Sequence, residues 1–153
     1  MIRTGRPSAV LGLGGGSALD VAKMAAVVSA GDNSAEVYAL MHQPLPQKTA
    51  TLVMMPTTAG TGSEVSKVAV IVDPENPFKK GVLSPYMFPY AAILDPELTR
   101  SMPPWLTAAT GMDALTQLIE AFVSLKANPL TDALCREGLV RCARSSTRAY
   151  HAG

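Results

Sequence analysis

The stretch most able to do chemistry is Pro56-Thr57-Thr58-Ala59-Gly60-Thr61-Gly62-Ser63-Glu64, nine residues without a large apolar side chain. Two glycines and four hydroxyl side chains, those of Thr57, Thr58, Thr61 and Ser63, make a loop whose backbone can approach a ligand closely. Its hydroxyls and N–H groups suit phosphate or ribose oxygens. A second such stretch lies upstream, where Ala9-Val10-Leu11 runs into Gly12-Leu13-Gly14-Gly15-Gly16-Ser17 and then into an alanine-rich amphipathic segment. Strand, glycine turn and helix in that order place a helix N-terminus where an anionic group can sit. Each loop follows a strand, and the pair points to a nucleotide cofactor.

Two carboxylates lie near these features. Asp20 follows the glycine turn, where it reads either as an N-terminal helix carboxylate favoured by the helix dipole or as a hydrogen-bonding partner of the cofactor. Asp113 lies in Gly111-Met112-Asp113-Ala114-Leu115-Thr116-Gln117-Leu118-Ile119-Glu120. It shares a helix face with Gln117 at i, i+4, as Thr116 does with Glu120. Its readings are a helix-start carboxylate and a buried metal or substrate contact.

The elements that must position these groups follow from pattern and punctuation. A strand is expected over Ser8–Leu13 and a helix over Ser17–Ala30, with Ser17 as N-cap, Asp20 in a capping-box position and Gly31 ending it. Residues 32–48 read as a surface connection with one helical turn around Ala35–Met41. Further strands are expected over Ala50–Met55, Ser66–Val72, Lys79–Leu83 and Ala91–Leu94, with a turn at Asp73-Pro74-Glu75-Asn76-Pro77. Beyond Pro103-Pro104 everything reads helical: Trp105–Ser124, then Pro129–Ala149 with Asn128 as N-cap and Pro129 at N1. The expected organisation is an α/β domain over 1–103 and a helical domain over 104–153.

The bulk numbers exclude several classes. Across 153 residues, 13 basic side chains face 12 acidic ones, which argues against a nucleic-acid footprint or a polybasic membrane patch. Apolar runs are interrupted well short of a membrane-spanning length, and the N-terminus lacks the pattern of a signal peptide. A hydrophobic content of 48% with 16% charged residues suits a piece whose apolar surface meets further partners, such as other copies in a homo-oligomer. Cys135 and Cys142 read as small buried hydrophobes in a reducing compartment, so the cytoplasm is expected.

Four motifs occur in one order: Gly14-Gly15-Gly16-Ser17-x-x-Asp20-x-Ala22-Lys23, the Pro56–Glu64 loop, Leu94-Asp95-Pro96-Glu97-Leu98, and Thr110-Gly111-Met112-Asp113-Ala114-Leu115-Thr116. Together they resemble the iron-containing (group III) alcohol dehydrogenase family, from about Ala9 to His151. The resemblance implies a dehydroquinate-synthase-like fold, seen in part: an α/β cofactor-binding domain followed by the first helices of an all-α domain, with segments missing at both ends. It implies NAD or NADP as cofactor, Fe²⁺ or Zn²⁺ as metal, and a small alcohol or aldehyde as substrate.

By the same resemblance Gly15, Gly16 and Ser17 hold the pyrophosphate, with Asp20 near the nicotinamide end. Thr57, Thr58 and Thr61 line the cofactor, and Lys79, or Lys80 if the register slips by one, reaches it. Asp113 matches the family's first metal ligand. The second is a histidine, and here Gln117 stands in its place with a weaker, harder donor. Neither His42 nor His151 matches a ligand position. The alternatives left open are a metal-independent reductase similar to maleylacetate reductases and a catalytically silent fragment.

Overall fold

The structure is a computed structural model that describes residues 7–40, 42–72 and 79–152. The turn expected at 73–77 and most of the N-terminal stretch weighed as a signal peptide lie outside the described residues. Two compact units account for the chain: Met1–Thr57 with Gly62–Asp95, and Thr58–Thr61 with Pro96–Gly153.

In the first unit, strand β1 (Ala9–Gly14) leads through helix α1 (Gly16–Ala30) and the short α2 (Ala35–Ala39) to strand β2 (Thr51–Pro56). β1 and β2 pair in parallel from Ala9↔Thr51 to Gly14↔Pro56. The two-residue β5 (Ala91–Ala92) joins the far side of β2, giving the order β1-β2-β5. Strands β3 (Val68–Val72) and β4 (Lys79–Leu83) form a separate antiparallel pair.

Helix α1 is apolar on two sides and packs on both sheets. Leu19, Ala22 and Ala26 meet Leu52 and Met54 of the parallel sheet. Met24 and Val27 meet Ala69, Val82, Met87 and Tyr38 on the hairpin side. A Cβ on Gly12 would lie 2.5 Å from Met54 Sδ and 3.0 Å from Ala22 Cβ, so this glycine sets how closely α1 approaches the sheet. The second face of β1 stays open, with Leu11 and Leu13 exposed.

The second unit holds the three-ten turn Pro96–Thr99 and helices α3 (Pro104–Phe122) and α4 (Pro129–Ala152), packed on one another. Pro104 opens α3, where its missing N–H is no loss. Asn128 caps α4 as expected, its Oδ1 accepting from the amides of Leu130 and Thr131 at 3.1 Å each. Gly138 lets the helices close up, since a Cβ there would meet Leu118 Cδ2 at 2.6 Å. Leu125, Leu130 and Leu134 are exposed. Among the described residues no helix is long and apolar enough to cross a membrane.

Several expected boundaries shift, and the shift at the start of α1 alters residue roles. Helix α1 begins at Gly16 with Gly15 as N-cap and no capping side chain. Ser17 is therefore inside the helix, and Asp20 is no part of a capping box. Asp113 is mid-helix in α3, which removes its reading as a helix-start carboxylate.

Candidate cofactor site

Both chemically rich loops leave the same end of the parallel sheet. β1 ends at Gly14, whose φ of 145° turns the chain into α1. A side chain there would also meet Ala18 Cβ at 2.7 Å, so the position demands glycine on two grounds. Gly15 is extended and Gly15 and Gly16 are half-buried, while Ser17 is exposed. With no capping side chain and no carboxylate in the first turn, α1 presents a positive helix end suited to an anion.

β2 ends at Pro56, and the amide of Thr57 donates to the carbonyl of Gly14 at 2.9 Å. The start of the hydroxyl loop is thereby joined to the glycine turn. Thr57 and Thr58 are half-buried and Thr61 is exposed. Gly62, with φ 63°, turns the chain into the Ser63–Val65 three-ten turn. Within the second unit, a Cβ on Gly60 would lie 2.6 Å from the Thr110 carbonyl oxygen. The loop tip thus rests on helix backbone.

Downstream the loop is held by α1. Asp20 accepts the Ser63 hydroxyl on Oδ1 at 2.6 Å and the Val70 amide on Oδ2 at 3.0 Å. Lys23, fully buried, donates from Nζ to Ser63 Oγ at 2.9 Å, Ser66 Oγ at 3.3 Å and the Val68 carbonyl at 2.7 Å. Its ammonium also lies 3.7 Å from Asp20 Oδ1. Burial pushes the Lys23 ammonium below its ordinary 10.5, opposed by the charge and hydrogen bond of Asp20 and the charge of Glu64.

Sequence reading assigned Lys23 no role. The available signal was a lysine on the apolar face shared by Leu19, Ala22, Ala26 and Val27. Asp20, expected near the cofactor, has both oxygens engaged by protein donors.

The remaining expected residues are more scattered. Lys79 is exposed and Lys80 half-buried on β4, where they pair with Val72 and Ile71. Asp113 and Gln117 are exposed on α3. Among the described residues no group of three or more His, Cys, Asp or Glu is placed to hold a metal. Two oxygen donors fall short of the three protein ligands that a catalytic iron or zinc site uses. The residues present therefore do not, by themselves, fit a metal. Cys135 is buried and Cys142 half-buried, both free.

Comparison with known proteins matches this arrangement. Residues 1–96 match the model for iron-containing alcohol dehydrogenase and residues 107–153 that for the C-terminal part of the Fe-containing alcohol dehydrogenase family. A sulfoacetaldehyde reductase of Bilophila wadsworthia is 39% identical over 144 residues, covering 94% of this chain and 37% of that protein. A long-chain-alcohol dehydrogenase of Geobacillus thermodenitrificans is 42% identical over 153 residues, covering 99% of this chain and 38% of its own length.

Among solved structures, a sulfoacetaldehyde reductase from Bifidobacterium kashiwanohense in complex with NAD⁺ superposes with a TM-score of 0.93 at 40% identity. The match covers 99% of this chain and 40% of that one. The chain thus spans about two-fifths of the length of these relatives, and its α/β portion with the following helices is a part of their fold. On these matches, the chain belongs to the iron-containing alcohol dehydrogenase family.

Proposed function

We propose that the chain is the cofactor-binding portion of an NAD-linked oxidoreductase that interconverts an alcohol and its aldehyde or ketone. The observation that carries this reading is the joining of the two loops, Thr57 to Gly14, beside the uncapped start of α1. In it the backbone at Gly15 and Gly16, with Ser17, takes the pyrophosphate. Thr57, Thr58 and Thr61 offer hydroxyls to the ribose and nicotinamide side, and Lys79 or Lys80 approaches from the hairpin. The nicotinamide supplies hydride chemistry when bound, and the residues here bind and orient it.

The NAD⁺ complex of the similar sulfoacetaldehyde reductase favours NAD, with NADP the alternative. The family's name favours iron over zinc; either metal requires donors besides Asp113 and Gln117. We place the division between cofactor and helical domains near residue 103 and the protein in the cytoplasm as a homo-oligomer. The exposed Leu11 and Leu13 and the two free cysteines support that placement.

Titration with NADH tests the reading. Gly15 has φ −73° and ψ 178°, a conformation valine adopts readily, so Gly15→Val blocks approach to the backbone without straining it. The variant is expected to lose NADH binding. Unchanged affinity would overturn the assignment.

A further inference from the structure

We propose that Lys23 is a positioning residue that sets the shape of the hydroxyl loop by pinning its downstream end to α1; what that shape serves rests on the cofactor reading above. The loop has two anchors. Upstream, Thr57 is tied to Gly14. Downstream, Ser63, Ser66 and Val68 all converge on one ammonium. The three acceptors come from one short stretch, and they match the three protons that a lysine ammonium carries.

Packing alone does not call for a lysine here. Lys23 lies on α1 beside Leu19, Ala26 and Val27, all fully buried, and an apolar chain of similar length would fill that space without burying a charge. What a methionine could not do is order three oxygens from the downstream end of the hydroxyl loop and the residues just beyond it. Asp20 completes the arrangement. It stands one turn before Lys23, accepts from the same Ser63 hydroxyl, and reaches the next strand at Val70. The Ser63 hydroxyl accepts from Lys23 and donates to Asp20, so its orientation is fixed from both sides.

Neither Lys23 nor Asp20 needs to touch a ligand for this to matter. Between the anchors lie Thr58 and Thr61, whose hydroxyls serve a ligand only when their backbone is held still. Releasing the downstream anchor leaves the loop tied at Thr57 and at its tip alone. The effect falls on loop order first and on ligand affinity second.

The test compares Lys23→Met with Val27→Ala, a change on the same helix that removes buried volume without touching the loop. Deuterium exchange of the unliganded 153-residue chain is read over residues 56–68, and NADH affinity is read by titration of the folded protein. Lys23→Met is expected to speed exchange over 56–68 by about tenfold and to weaken NADH binding by about tenfold, the scale of losing hydrogen bonds to a charged group. Val27→Ala is expected to lower the melting temperature and leave both readouts near wild type.

Unchanged exchange in Lys23→Met, or equal losses in Val27→Ala, would overturn the proposal. If Lys23→Met fails to fold, Ser63→Ala removes the shared hydroxyl alone; it is expected to act in the same direction, and unchanged exchange in it would be equally fatal. Failure of the wild-type chain to bind NADH would overturn the cofactor reading, and the exchange comparison would still decide the role of Lys23.

Discussion

The amide of Thr57 donates to the carbonyl of Gly14 at 2.9 Å, continuing the parallel ladder of β1 and β2 one step past its last paired residues, Gly14 and Pro56. Two loops that arise far apart in sequence become neighbours through this one bond. Any change that alters the backbone at Gly14 therefore reaches both.

Gly14→Ala is expected to destabilise the first unit by about 1–3 kcal/mol, the range for a non-glycine residue forced into a rare backbone conformation. The added methyl also meets Ala18 Cβ. Urea unfolding checks this, and a midpoint equal to wild type would contradict it.

Gly60→Ala is expected to lift the loop tip from α3, because the new Cβ meets backbone at the Thr110 carbonyl. Overpacking of this kind costs about 1–3 kcal/mol. Gly138→Ala meets only the end of the Leu118 side chain, which can rotate away, and is expected to cost less. Thermal melts of the two variants, measured side by side, give the order.

Stability should rise with pH on account of Lys23. Between its lowered value in the folded chain and the ordinary 10.5, the unfolded chain holds a proton that the folded chain has released. Unfolding free energy therefore climbs across that window, and below it the contribution is flat. The stability difference between wild type and Lys23→Met, followed by denaturant titration, should move in favour of wild type as pH approaches 10.5. A difference that moves the other way would contradict a lowered value for Lys23 in the folded chain.

The chain is expected to retain little Fe²⁺ or Zn²⁺ after dialysis, since Asp113 and Gln117 offer only two oxygen donors against a usual four. Elemental analysis of the dialysed protein checks this. Stoichiometric metal would reveal a donor set not apparent from these residues.

Self-association is the last expectation. Leu11, Leu13, Leu130 and Leu134 are all more than half exposed, and exposed apolar side chains favour association. Sedimentation velocity should show species heavier than a monomer, and Leu11→Glu with Leu13→Glu should reduce them.

Local pattern made much of this fold legible. The strand, glycine turn and helix at 9–30, the hydroxyl loop and the Asn128 cap all announce themselves through residues adjacent in sequence. Asp20 was harder, because its spacing from Ser17 imitates a capping box while its actual partners, Ser63 and Val70, lie in a distant strand and turn. Lys23 was harder still. Lysine is rarely fully buried, and nothing local reveals that three acceptors arrive from the end of the hydroxyl loop and the residues after it. Of the two readings of Asp113, the helix-start carboxylate fails because the helix begins at Pro104, more than two turns earlier.

The seating of Gly60 on the Thr110 carbonyl has a consequence for the order in which the chain acquires its shape. Residues 58–61 belong to a compact unit whose other members begin at Pro96. On a ribosome the hydroxyl loop emerges well before α3, the helix it rests on. The α3–α4 pair forms from contacts close in sequence, whereas seating the loop tip requires closing a long span of chain, a slower step. The tip of the segment richest in hydroxyls is therefore expected to settle only after α3 has formed.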